Sequence, residues 1–336
     1  MKVVYLVTAE PNSLCGVVDY ANKLAAAVSR MGFETVVEKT TTWSFSFIKR
    51  IRLRYESDKD CIFHLQYPTL GMGKSLAPAL LPLLMSPSKA FITLHEYEQF
   101  HIVRKYYFLP ASLLTSNIIF TNEHERNVFQ KIFPWKKSAY NIIPIGNNID
   151  VSLKADSVVQ RPRLVYFGQI AQNKGIEFYL QTVAYLREQG IDCECLLMGA
   201  LVDPEGELTK SIQRNSQLYN IQCLFNMDAE AVSIELLKSS IALLPFPTGV
   251  GDKRGSALAC LKHNLSLITK HGTNTPSWWT QATWHCNTFE EAGELVKDIL
   301  IGKRAKVPNI RVLKESLIAR EWDAIASKHV LLYKKA

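Results

Sequence analysis

Residues 241–269 read IALLPFPTGVGDKRGSALACLKHNLSLIT. IALLPF is a short apolar, β-rich run that the proline and glycines behind it interrupt. The apolar residues of SALACLKHN then return at helical spacing, and LSLIT reads as strand again. A strand feeding a helix that feeds a second strand is the repeating unit of a parallel sheet. Upstream the same rhythm recurs as strand RLVYFG (163–168), helix IEFYLQTVAYLREQG (176–190), strand CECLLMG (193–199), a helix near 205–217, strand IQCLFN (221–226) and helix AEAVSIELLKSS (229–240). The polar segment 147–162 carries no long apolar run and reads as a linker. Before it lies a first series: strand KVVYLVT (2–8), helix VVDYANKLAAAVSRMG (17–32), and strands FETVVEK (33–39), CIFHLQY (61–67), KAFITLH (89–95), NIIFTN (117–122) and NIIPIG (141–146). The expected fold class is therefore α/β, with two doubly wound domains at 1–150 and 163–319 that face one another across a cleft. The last segment, AREWDAIASKHVLLYKK (319–335), reads as an amphipathic helix.

Composition agrees with two cores. The chain has 336 residues, of which 47% are apolar, 10% aromatic and 21% charged, which excludes a disordered, collagen-like or coiled-coil architecture. The net charge of +8 is uneven: residues 1–163 hold 20 Lys/Arg against 13 Asp/Glu, and residues 164–336 hold 19 against 18. Excess positive charge in the first half suits an acidic partner. The seven cysteines are odd in number, include no C-x-x-C pair and mostly sit in apolar runs, so they read as free buried thiols of a reducing cytosol. KVVYLVT is too short for a signal peptide, and LAPALLPLLM (76–85) is too short for a membrane span. A cytoplasmic protein is expected.

In doubly wound sheets, ligands bind where loops leave the carboxyl ends of strands. Four such loops stand out. Gly16 and Val17 end the first, where a glycine lets backbone amides approach negative charge; without a G-x-G-x-x-G pattern it is no nicotinamide-dinucleotide site. His95 closes KAFITLH and can hydrogen-bond a sugar hydroxyl or share developing charge. In FGQIAQNKG (167–175), Gly168 permits a tight turn and Lys174 presents a cation that suits a diphosphate. In the opening stretch, Lys253 and Arg254 precede Gly255 and Ser256 at a helix start, so amides, helix dipole and guanidinium converge on one spot fit for an anion. Asp58–Lys59–Asp60 has the D-x-D form of a metal-binding motif but precedes a strand, and reads as a solvated turn. No other cluster has metal-ligand spacing, so no metal is expected.

The order of these motifs resembles a known family. The strand-1 glycine loop, TLHEY, TNEHER, IPIGNNID, LVYFGQIAQNKG, LLMGA, LLPFP, KRGSALACLKHNLSLIT and a closing Trp-containing helix look like the retaining GT-B glycosyltransferases of the group that includes bacterial exopolysaccharide and glycolipid transferases. The resemblance implies two Rossmann-like domains, a nucleotide-sugar donor on the second, a polysaccharide or lipid-linked acceptor on the first, no metal or other cofactor, and a last helix (320–336) that crosses back onto the first domain. It implies UDP-glucose as donor, because UDP is common in the family. By position it assigns Gly16 to the donor phosphate and sugar, His95 to the donor sugar and Lys174 to the diphosphate, with the nucleobase held by backbone near Phe225 and Asn226. The chain departs from the family in two places. The usual arginine companion of the lysine is Gln169, and the paired glutamates fall near Gly251 and Ala259. Asp252 would supply the first carboxylate if the loop shifted by one residue, and Lys253 with Arg254 would replace the charge lost at Gln169.

Rival readings are an epimerase or phosphorylase on the same fold, and a degenerate scaffold that binds a partner without turnover, which the missing glutamates motivate. Nucleic acid is an unsuitable partner, since no recognition motif accompanies the basic residues. SFIKRIRLRYES (46–57) interleaves Phe47, Ile48, Ile51 and Leu53 with Lys49, Arg50, Arg52 and Arg54. That pattern fits either a charged surface or an interfacial helix attached to an anionic inner membrane face.

Overall fold

The computed structural model describes residues 1–336 apart from 10–14, 59, 70, 72, 74, 116, 137–139 and 154–157. Most of the first glycine loop and Lys59 of the D-x-D triplet thus lie outside the described residues. Two compact units form, one from Met1–Asn148 with Ala319–Ala336 and the other from Ile149–Ile318.

In the first unit the order is β1 (Lys2–Thr8), α1 (Gly16–Arg30), β2 (Glu34–Thr40), α2 (Phe45–Arg54), β3 (Cys61–Tyr67), α3 (Leu81–Leu84), β4 (Ala90–Leu94), α4 (Ile102–Tyr106), α5 (Leu109–Leu114), β5 (Ile118–Phe120), α6 (Glu123–Ile132) and β6 (Asn141–Ile142). The strands build one parallel sheet in the order β2-β1-β3-β4-β5-β6. β3 and β4 are buried along their whole length, as strands covered on both faces must be.

The second unit runs β7 (Arg163–Phe167), α7 (Ile176–Glu188), β8 (Glu194–Gly199), α8 (Glu207–Tyr219), β9 (Ile221–Phe225), α9 (Ala229–Lys238), β10 (Ile241–Leu244), α10 (Gly255–Lys262), β11 (Ser266–Thr269), α11 (Ser277–Ala282), β12 (Trp284–His285), α12 (Phe289–Leu300) and α13 (Ile310–Ile318). Its sheet is also parallel, ordered β12-β11-β10-β7-β8-β9. Local chemistry sets the helix starts. Asp228 accepts the Ala231 amide at 2.8 Å ahead of α9, and Thr288 accepts that of Glu291 at 3.3 Å ahead of α12, each satisfying a donor that the first turn leaves unpaired. Of the last elements, α11 and β12 are too short to show a period, whereas α12 and α13 are amphipathic helices that the sequence reading does not assign.

The described part of 147–162 is tied to the second unit. The Ser152 amide donates to Ser233 Oγ at 2.8 Å, its hydroxyl donates to Glu230 at 2.6 Å, and the Arg161 amide bonds the Lys238 carbonyl at 2.8 Å. All seven cysteines are free; five are buried, and Cys15 and Cys223 are half-buried.

The final helix, α14 (Trp322–Tyr333), packs on α1 and completes the first unit. Trp322, Ile325, Ala326, Val330 and Tyr333 share a core with Tyr20, Leu24 and Val28 of α1 and Phe91 of β4. Burying large apolar side chains contributes about 1.5–3 kcal/mol each. The Trp322 indole also donates to the Asn147 carbonyl at 2.8 Å.

Two buried imidazoles meet where this helix covers the sheet, His64 from β3 and His329 from α14 itself. His64 of β3 pairs with the Tyr333 hydroxyl at 2.6 Å and the Thr93 hydroxyl at 2.8 Å. His329 stands 5.5 Å away, ring to ring, and its Nδ1–H donates to the Ile325 carbonyl at 2.9 Å. Burial pushes His329 down to about 4 and His64 well below its ordinary value. Both are neutral in the native protein, whereas the unfolded chain takes up protons below its ordinary histidine value. Stability is therefore complete above about pH 6.5 and falls as pH drops toward 4, by about 3 kcal/mol from His329. Urea unfolding at about pH 7 and about pH 4.5 checks this, and His329→Gln should show a smaller acid loss than the parent. Equal losses would contradict the assignment.

Candidate functional site

In the second unit the strand order reverses between β7 and β10, the switch point at which diverging loops open a crevice. The loop leaving β7 runs from Gly168 to Gly175. A Cβ on Gly199, at the end of β8, would fall on the Gly168 carbonyl oxygen. Gly175 has φ +83°, and a Cβ there would strike the Pro245 carbonyl behind β10. Only glycine allows these three loops to lie backbone on backbone. Tyr166 fixes the loop from below, its phenol donating to the Lys174 carbonyl at 3.0 Å and the Gln169 carbonyl at 3.5 Å. Burial pushes that phenol well above its ordinary value, so it remains a donor.

The loop leaving β10 delivers the charge. Arg254 occupies the N-cap of α10, and no side chain caps that helix. The Arg254 amide bonds the Gly251 carbonyl at 3.0 Å, that of Gly255 bonds Lys253 at 3.1 Å, and that of Leu258 bonds Arg254 at 3.1 Å. Ser256 and Ala257 follow in the first turn, where amides have no acceptor within the helix. Ser256 Oγ is 3.7 Å from the place a Cβ on Gly168 would take, so the start of α10 borders the β7 loop. The Arg254 guanidinium lies 4.6 Å from the Phe246 ring centroid and donates to the Thr248 hydroxyl at 3.3 Å. Burial pushes it below its ordinary value. No carboxylate pairs with Arg254 or Lys174 among the described residues. A desolvated cation beside unpaired amides and a helix dipole is an arrangement for holding an anion.

The other expected donor contacts divide. Lys174 and Gln169 are on the β7 loop, with Gln169 exposed and Lys174 half-buried. Phe225 pairs in register with Gly199, and the Asn226 amide bonds the Gly199 carbonyl at 2.9 Å while its side-chain oxygen accepts the Leu201 amide at 3.0 Å. Asn226 thereby shapes the loop after β8. Lys253 is half-buried next to Arg254. Asp252 is differently engaged: Oδ1 accepts the Trp278 indole at 2.8 Å and the Trp279 indole at 3.2 Å. The carboxylate considered for the missing first glutamate thus anchors α11. Tyr166, Phe246, Thr248 and the Trp278–Trp279 pair were not legible as site residues; an aromatic just ahead of a glycine-rich turn was the available signal.

In the first unit the switch point lies between β1 and β3, where the Thr8 amide donates to Thr69 Oγ1 at 2.9 Å. Gly16 and Val17 open α1 behind an N-cap, Cys15, that gives no side-chain bond. His95 follows β4 and is buried, with Nε2–H donating to Gln66 Oε1 at 2.9 Å and its ring meeting Tyr20 of α1 edge-on at 4.9 Å. Tyr20 thus links the start of α1 to His95. Asp58 is paired with Lys2 at 2.8 Å, which gives that carboxylate a structural partner. No group of three or more His, Cys, Asp or Glu among the described residues could hold a metal ion.

Two Rossmann-like sheets with these switch points define the GT-B architecture, and solved glycosyltransferases share it. A glycosyltransferase from Rickettsia africae is 12% identical over 99% of this chain and 98% of its own, with a TM-score of 0.72. Sucrose-phosphate synthase from Thermosynechococcus elongatus is 14% identical over 99% and 98%, with a TM-score of 0.69. HepE from Anabaena, in complex with UDP-glucose, is 12% identical over 100% and 98%, with a TM-score of 0.60. Neither a protein-family model nor a curated protein sequence matches the chain.

The two indole bonds give Asp252 a testable structural role. Asp252→Ala should lower the unfolding free energy by about 1–3 kcal/mol, because the buried Trp279 donor loses a charged acceptor. Asp252→Asn keeps an oxygen and should lose less. Thermal unfolding of both variants checks the order, and equal stability of Asp252→Ala and the parent would contradict it.

Proposed function

We propose that the protein is a metal-independent hexosyltransferase that moves glucose from UDP-glucose, with retention of anomeric configuration, to a hydroxyl of a polysaccharide or lipid-linked acceptor in the cytoplasm. The observation that carries this reading is the half-buried Arg254, without a carboxylate partner among the described residues, at the uncapped start of α10. The shared fold of HepE, solved with UDP and with UDP-glucose, supports the choice of donor.

In this reading the second unit binds the donor and the first unit the acceptor. The diphosphate sits against the Ser256 and Ala257 amides, with Arg254 and Lys174 as cations. Phe225 and Asn226 offer backbone to the base. The bond from the anomeric carbon to the phosphate oxygen breaks, and the acceptor oxygen attacks from the same face. Its proton passes to the leaving phosphate, so no protein base is required and the absent glutamate pair does not bar turnover. Negative charge grows on the diphosphate as the bond breaks, and fixed cations and amides stabilise it more in the transition state than before.

Saturating UDP, at about 100 times its dissociation constant, should stabilise the protein by about 2.7 kcal/mol in a thermal-shift panel against GDP and ADP. Arg254→Ala and Lys174→Ala should each lower turnover on the responding donor by about 10²-fold, the effect of losing one preorganised donor. Parental turnover in Arg254→Ala would overturn the reading.

A further inference from the structure

Folded as α2, the basic segment turns Phe47, Ile48 and Ile51 into the core of the first unit. The apolar residues that would have faced a membrane from this helix alone are therefore unavailable to one, apart from Phe45 and Leu53, which stay exposed. They have neighbours of the same kind. α2 packs on α3 and α3 on α5, and these helices present Leu83, 62% exposed, and Leu113, 56% exposed. α4 adds Ile102, Val103 and Tyr106. The Tyr106 ring meets Phe133, Phe133 meets Trp135, and the Trp135 indole donates to the Ser112 carbonyl of α5 at 3.3 Å. The short helices thus share one surface.

Of the 20 large apolar residues exposed among the described residues, 11 lie between Phe45 and Trp135. Several of them sit on the helices just described as touching one another, and contiguous exposed apolar surface marks an interaction site. The charge is equally one-sided. Helices α2 to α5 contain Lys49, Arg50, Arg52, Arg54, Arg104 and Lys105 and no Asp or Glu. Arg54 is paired with Glu38 at 2.7 Å, and Arg104 is held over Tyr67 and Phe100. Lys49, Arg50 and Arg52 are exposed; Arg50 lies 5.4 Å from the Phe47 ring centroid, and Arg52 donates to the Leu84 carbonyl of α3 at 3.5 Å.

We propose that this face seats the protein on an anionic lipid bilayer, with the leucine and aromatic side chains in the headgroup region and the cations on lipid phosphates. Charge complementarity selects this occupant. A second copy would bring the same positive charge against itself, and a polyanion such as nucleic acid would leave the leucines in water. A bilayer interface meets both requirements at once. No helix among the described residues is long and apolar enough to cross a membrane, so the seat is on the surface. The proposal stands apart from sugar transfer, because vesicle binding reads neither donor nor turnover.

Flotation with vesicles of phosphatidylcholine, and of phosphatidylcholine with phosphatidylglycerol, tests it. The full chain should float with the anionic vesicles and stay behind with the neutral ones. Lys49→Glu with Arg50→Glu should weaken binding about tenfold or more, each cation near the surface counting for about one kcal/mol. Leu83→Ser with Leu113→Ser should weaken it comparably. Both double variants change exposed side chains and should keep the parental melting temperature, which verifies their folding. Failure to bind anionic vesicles overturns the proposal, as does binding that survives either double substitution. Loss with the charge reversals alone would mark a simple polyanion site, and a dimer that depends on Leu83 and Leu113 would mark a self-interface; either result overturns it as well.

Discussion

The position that a side chain on Gly199 would need is already taken by the carbonyl of Gly168. This contact, with the similar approach of Gly175 to Pro245, lets the loops behind β7, β8 and β10 share one edge of the second sheet. Everything distinctive about the candidate site depends on it. Were the loops held apart by side chains, Ser256 would not border Gly168, and Lys174 would not be anchored by the phenol beneath it. The sheet order sets where the loops diverge, and the glycines let their backbones lie against one another.

The electrostatics follow from that geometry. Around Arg163, at the opposite end of β7, guanidinium charge is answered by Glu194 at 2.5 Å and Glu235 at 2.6 Å. At Arg254 the described contacts are an aromatic face and a hydroxyl. The first arrangement is complete in itself; the second leaves a desolvated charge for something to bring. Asp252, two residues away in sequence, does not supply the balance with its Oδ1, which already accepts two indoles.

The fold was legible because buried parallel strands are short apolar runs and their crossover helices are periodic, so CIFHLQY, CECLLMG and IALLPF stood out without context. The return of the last helix to the first unit depended on a resemblance, since no local signal says which sheet Trp322 covers. The candidate site is legible where chemistry is concentrated in sequence, at Arg254, Gly255 and Ser256. It is illegible where partners come from afar: Tyr166 acts through its hydroxyl on a carbonyl eight residues on, and Trp278 and Trp279 reach Asp252 across 26 and 27 residues. The basic helix shows the same limit. Its composition suggested an amphipathic surface, but only packing decided that Phe47, Ile48 and Ile51 face the core.

Hydrogen–deuterium exchange with and without UDP tests the central proposal, that a diphosphate binds at the loops behind β7 and β10. Slower exchange is expected only at about 168–175, 225–226 and 248–258 in the second unit, with that protection lost in Arg254→Ala. Protection elsewhere in the chain, or none at a UDP concentration that shifts thermal unfolding, would contradict it.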